Sequence, residues 1–123
     1  MLALGAGLLL VLSARDAATT QSTAGPGRVV PAQRGREGQA LRAGNVVLVA
    51  GRERLEEARA LARELAGGEA TTALRASGQA VIVRLGRSGG GIVAVAWRHE
   101  ERAERADAPA LAAFVEHWLG RGA

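Results

Sequence analysis

The sequence predicts a small α+β domain: a mixed β-sheet in the order β-α-β-β-α with two helices packed against it, preceded by an apolar N-terminal segment and a linker. Three observations carry this. Val46 to Ala50 is apolar at every position, which suits a strand covered on both faces. In Glu53 to Ala66, Leu55, Ala58, Leu61, Ala62 and Leu65 recur at three and four residues, the stripe of an amphipathic helix. Two further strand-like runs, Ala80 to Leu85 and Ile92 to Trp97, precede a last helix.

The elements follow in order. Met1 to Ala14 (MLALGAGLLLVLSA) carries no charge and has the apolar character of a signal or anchor segment. At 1.5 Å per residue it reaches only about 21 Å, short of the ~30 Å hydrocarbon core. No basic flank precedes it, so the expectation is a truncated anchor with a start codon assigned too late; a stop codon immediately upstream of Met1 would sink that idea. Residues 15–43, rich in Ala, Thr, Ser, Gly, Gln and Arg with Pro26 and Pro31, are expected to form a flexible linker or arm. The folded domain is expected over 44–120.

Within it, Gly67-Gly68 stop the first helix. Gly86-Arg87-Ser88-Gly89-Gly90-Gly91 is expected to close a hairpin between the second and third strands, because a phosphate-cradling Walker loop needs a lysine and a following helix. If the first two strands are parallel neighbours, their helical connection crosses right-handed. In the last helix Asp107 can cap, Pro109 fits the first turn, and Leu111, Phe114, Val115 and Trp118 form the buried stripe before Gly120.

Charge and composition narrow the function classes. All 16 basic residues are arginine, against 12 acidic ones, giving a net charge of +4. Arginines on the predicted helix alternate with Glu53, Glu56, Glu57 and Glu64, the pattern of a solvated, locally paired face rather than a phosphate-tracking stripe. With two Trp, one Phe and no Tyr, base stacking lacks a platform, so nucleic acid is a disfavoured partner; a membrane contact would run through the N-terminal apolar segment. If the N-terminal segment is not a truncated anchor, the expected location is cytoplasmic, and a cytosolic arginine-mediated polyanion binder, which predicts affinity falling steeply with salt, remains an alternative.

No cysteine is present, which removes disulfides, thiolate nucleophiles and zinc thiolate sites. Ser13, Ser22, Ser77 and Ser88 fall in linker or loop, none in a nucleophile-elbow setting. His99-Glu100-Glu101 with Glu104 has no established metal-ligand spacing and is expected to be a solvated charged stretch; His117 is expected on the flank of the last helix, half exposed. No catalytic residue, cofactor or metal is therefore expected. Asn45, Trp97 and His99 are the candidate ligand contacts, Trp97 by stacking and His99 as the centre of any metal or enzyme alternative.

Four short matches then carry a resemblance: Thr23-Ala24-Gly25-Pro26-Gly27 to T-S-G-P-H, Ala40 to Val47 (ALRAGNVV) to A-L-E-H-G-N-V-V, Gly91 to Trp97 (GIVAVAW) to P-I-V-A-T-A-W, and Asp107 to Phe114 to D-x-x-x-L-x-A-F. In that order they resemble a bacterial family of membrane-anchored or exported proteins known as a domain of unknown function. The resemblance implies an extracytoplasmic location. It also implies histidines where this chain has Gly27 and Ala43, and glutamate where it has Arg42. Two imidazoles and a carboxylate could hold a metal or move a proton, so their replacement predicts a non-enzymatic binding or structural module built on a vacated site.

Overall fold

Val46-Val47-Leu48-Val49-Ala50 is buried at every position, and the sheet explains why it can be. The computed structural model describes residues 25–123, so the N-terminal apolar segment and the first part of the linker lie outside the described residues. The elements are β1 (Arg28–Val29), α1 (Gly35–Ala43), β2 (Val46–Ala50), a 3-10 turn (Arg52–Arg54), α2 (Leu55–Ala66), α3 (Thr72–Ala76), β3 (Val81–Leu85), β4 (Ile92–Ala96), β5 (His99–Ala103) and α4 (Pro109–Trp118). The five strands order as β1-β5-β4-β2-β3. β2 pairs parallel with β3 and antiparallel with β4, and β5 pairs antiparallel with both β4 and β1. The fold is thus the α+β class with a small mixed sheet.

Strand alternation sorts the core into two layers. Val46, Leu48 and Ala50 of β2, Val81 of β3 and Ile92, Ala94 and Ala96 of β4 face α2 and α4, where they meet Ala58, Leu61, Ala62, Leu111, Phe114 and Val115. Val47 and Val49 of β2 with Val93 and Val95 of β4 face the other way, under Leu41 of α1, with Ile82 and Trp97 at the margins. Removing each such aliphatic side chain from water stabilises by about 1.5–3 kcal/mol before the entropy cost of ordering it. The two central strands need apolar residues at every position because both faces are covered.

Several expectations change. The stretch read as linker contains, from residue 25 onward, a short strand and a nine-residue helix. In α1 only Gly38 and Leu41 are buried, so it lacks the stripe that would have marked it. It stops at Gly44, whose φ of 119° favours glycine and whose amide bonds back to Ala40 and Leu41. The glycine-rich segment 86–91 closes no hairpin: β2 lies between β3 and β4, so the loop passes over the end of β2. The charged run after Trp97 is not a solvated connection but strand β5. Asp107 does not cap α4; the cap position is Ala108, without a side-chain bond, and Pro109 occupies the first turn as expected.

Candidate functional site

β4 and β5 are joined by a two-residue turn, since Ala96 and His99 are paired across it. Arg98 there has φ of 61°, the one positive value at a non-glycine residue among the described residues. A side chain in that region costs on the order of 1 kcal/mol or more and persists only where neighbours hold it. Gln33 is the holder: its Nε2 donates to the Ala96 carbonyl at 3.0 Å and its Oε1 accepts from the Arg98 amide at 2.9 Å. The Val30 amide donates to the Arg98 carbonyl at 2.9 Å. The segment after β1 therefore fixes the turn that presents Trp97, Arg98 and His99.

Each of the three goes a different way. Trp97 is half-buried against the α1-side layer, with the Arg42 guanidinium 5.3 Å from its ring centre, a cation-π distance. Arg98 is exposed, and among the described residues no carboxylate lies within ion-pair reach of it. His99 turns inward and is 8% exposed. Its ring stacks on Trp118 with centroids 4.0 Å apart, and its Nδ1 sits 3.0 Å from the Trp97 carbonyl. With Nδ1 donating there, Nε2 is left as a buried acceptor without a partner among the described residues.

Trp118 completes the group. Its indole N–H donates to the Pro26 carbonyl at 2.9 Å, and His117 meets its ring edge-on at 4.6 Å. Together Val29, Trp97, Arg98, His99 and Trp118, with Gly122 and Ala123 behind them, wall an open pocket of about 470 Å³. Val29 is 57% exposed, an apolar wall facing solvent. Both tryptophans of the chain thus line one pocket, with Arg98, which has no carboxylate partner among the described residues, at its rim.

His117 is half-buried, as expected of a flanking position. Burial lowers its pKa below the ordinary 6.5, and the charges of Arg121 and His99 lower it further. The folded state therefore binds the proton less readily than the unfolded chain. Stability contributed by a neutral His117 is complete above pH 6.5 and is lost as pH falls from there through the lower folded-state value. His117→Gln is expected to flatten the dependence of Tm on pH below 6.5, measured by thermal unfolding in a buffer series; an unchanged slope would refute it.

The other candidates resolve into structural roles. Asn45 is 2% exposed and its amide is fully engaged: Nδ2 donates to the Ala40 and Arg75 carbonyls, each at 3.0 Å, and Oδ1 accepts from the Ala80 amide at 2.9 Å. It ties α1, α3 and the residue leading into β3 together, which gives its amide a structural role. His99, Glu100 and Glu101 stand on one strand, so alternation sends Glu100 to the opposite face from His99. There Glu100 is ion-paired to Arg28 and lies 3.8 Å from Arg102. No group of three metal-capable side chains converges among the described residues. Ser88 is spent on the loop, accepting from the Gly51 amide at 3.3 Å and donating to the Gly91 carbonyl at 2.5 Å.

Of the three positions implied by the resemblance, only Arg42 touches the pocket's residues, through Trp97 and through its carbonyl, which accepts from the Ala123 amide. Gly27 packs under α4, where an added Cβ would lie 2.5 Å from the Phe114 ring, and the Ala43 carbonyl lies against Gly78. A histidine at 27 would require Phe114 to move, so the imagined two-histidine site is not preformed here. Sequence reasoning missed Val29, Gln33 and Arg98, and assigned Trp118 to the core alone. The residues flanking the turn gave little signal, because β4 is apolar at every position and β5 is mostly charged.

Comparison of the chain with protein-family models, with curated proteins and with solved structures finds no match.

Proposed function

We propose that the protein is a non-catalytic binding module that takes a small ligand with an apolar, preferably flat body and a negative charge in the Trp97–Trp118 pocket. One observation carries the reading: two tryptophans and Val29 wall a pocket whose rim cation, Arg98, has no carboxylate partner among the described residues. A pocket with apolar walls and a few placed polar groups is the usual form of a small-molecule site. The strained turn is consistent with a feature retained for binding rather than stability.

Because the chain has no other tryptophan, indole fluorescence reports on this pocket alone. Titration with anilinonaphthalene sulfonate, an apolar anion, is expected to quench that emission saturably. Arg98→Glu is expected to weaken the titration about tenfold through charge reversal, and Trp97→Ala to weaken it comparably through lost contact area. Equal affinity for wild type and both variants would overturn the assignment.

The buried Nε2 of His99, which has no hydrogen-bond partner among the described residues, supports a second reading, a metal or enzyme site that this ring anchors. Stoichiometric zinc in the purified protein, lost in His99→Ala, would favour it over the first; unchanged metal content and stability in that variant would dispose of it. The shared order of the four motifs supports placing the chain in the exported or membrane-anchored family it resembles. No helix among the described residues is long and apolar enough to cross a membrane. Cell fractionation, together with the upstream reading frame, tests the location.

A further inference from the structure

At the far side of the sheet from this pocket, β3 is an outer strand with one neighbour, β2, among the described residues. The Ala80 carbonyl accepts from the Val46 amide and the Gly86 amide donates to the Ala50 carbonyl, which fixes the parity of the ladder. Ile82 and Arg84 therefore spend their backbone groups on β2, and Val81, Val83 and Leu85 direct theirs outward. None of these outward groups has a backbone partner among the described residues. Such an edge is a ready template for another strand unless proline, a bulge or inward charge blunts it. This one has five residues, VIVRL, and its single charge, Arg84, is held by Glu37 at 2.6 Å on the α1 side. Leu85 is 51% exposed.

The α2 side of the same edge is a groove of about 190 Å³ between Val81 and Val83 on one wall and Arg59, Arg63 and Arg75 on the other. Glu69 lines it too and lies 3.5 Å from Arg63, while Arg59 is paired at 2.8 Å with Glu56, a residue 81% exposed. Arg75 has no carboxylate partner among the described residues and bonds only to the Ala70 carbonyl, at 3.3 Å. Exposed pairs of this kind contribute at most about 1 kcal/mol and exchange readily.

This charge distribution selects the occupant. Antiparallel pairing of β3 with β3 of a second copy would place α2 beside α2 on one face, bringing Arg59 and Arg63 against their own duplicates. An acidic strand meets the same arginines with opposite charge. We propose that the β3 edge is a docking site for an extended acidic peptide segment, added as a sixth strand next to Val81–Leu85. Its alternate carboxylates face Arg59, Arg63 and Arg75, and its intervening apolar residues lie on the side of Ile82. Backbone bonds to Val81, Val83 and Leu85 supply affinity, and the arginines set the register. The site is independent of the tryptophan pocket, so either assignment can fail without the other.

The test uses two dye-labelled seven-residue probes, one alternating valine with glutamate and one alternating valine with lysine, read by fluorescence polarisation. The glutamate probe is expected to bind saturably and the lysine probe at least about tenfold more weakly. Val83→Pro removes an outward amide that makes no bond to β2, so the fold survives while glutamate-probe binding is lost. Arg59→Glu with Arg63→Glu is expected to invert the preference between the probes in a protein whose thermal unfolding confirms it is folded. Equal binding of the two probes, or glutamate-probe binding unchanged in both variants, would overturn the proposal. So would a wild-type dimer that Val83→Pro dissociates, since the occupant would then be a second copy.

Discussion

Replacing Asn45 with alanine is expected to lower the unfolding free energy by about 1–3 kcal/mol, chiefly because the buried Ala80 amide is left without an acceptor, while the Ala40 and Arg75 carbonyls keep backbone donors from Asn45 and Gly78. The Ala80 amide loses its acceptor next to a residue with no exposure, and the Ala40 and Arg75 carbonyls lose the Nδ2 donor. Urea unfolding gives the magnitude. The mechanism has its own readout, because the Ala80 amide should exchange with solvent faster than it does in the wild type while the amides of Ile82 and Arg84, bonded to β2, change less. Asn45→Asp retains an acceptor but loses both donors and buries a charge, so it should be at least as damaging. A drop under about 0.5 kcal/mol in Asn45→Ala would show that the three segments are not joined through this amide.

Phe114→Ala carries the second large effect, a loss of about 3–5 kcal/mol. Phe114 has no exposure, lies beneath Gly27, and sits 6.5 Å from Trp118 centre to centre. The vacancy would open between α4 and the segment that crosses it, where few neighbours can collapse inward. For a domain of this size each kcal/mol moves Tm by about 4–8 °C, so a fall of 12 °C or more is expected in a thermal melt. Phe114→Leu should cost under half as much. Because Trp118 rests on the same side, anilinonaphthalene sulfonate binding should weaken in Phe114→Ala at temperatures where the protein is still folded.

How much of this could be read from the chain depends on whether burial left a period. β2, α2 and α4 were legible because their apolar residues follow the geometry that buries them. β5 was not: its inward positions are His99, Glu101 and Ala103, and its outward ones Glu100 and Arg102, so polar residues mask the alternation. α1 was hidden because a helix that buries only Gly38 and Leu41 has no stripe to show. The loop at 86–91 was misassigned because strand order, unlike strand identity, depends on partners distant in sequence. Recognising that Val46–Ala50 needs cover on both faces pointed to a central strand but did not say which strands flank it.

The site divides in the same way. Trp97 and His99 were identifiable as residues capable of contact, and the structure places both on one pocket. Asn45 was equally plausible by residue type, and its three internal bonds give it another role. Arg98 and Gln33 left no signal because their roles come from backbone geometry at a turn and from a contact across 65 residues. The resemblance drew attention to positions 27, 42 and 43, yet of these only Arg42 reaches the tryptophan pocket, through its guanidinium over Trp97.

The bond from Trp118 to the Pro26 carbonyl joins residues 92 apart. During synthesis β1 and the clasp around Arg98 can form once β5 is available, but Pro26 waits for its bond until the final helix has left the ribosomal exit tunnel, so the seam between the early segment and α4 is completed last. Nascent chains halted before α4 emerges would carry β4 and β5 without their cover, and chaperones would meet that apolar sheet surface first.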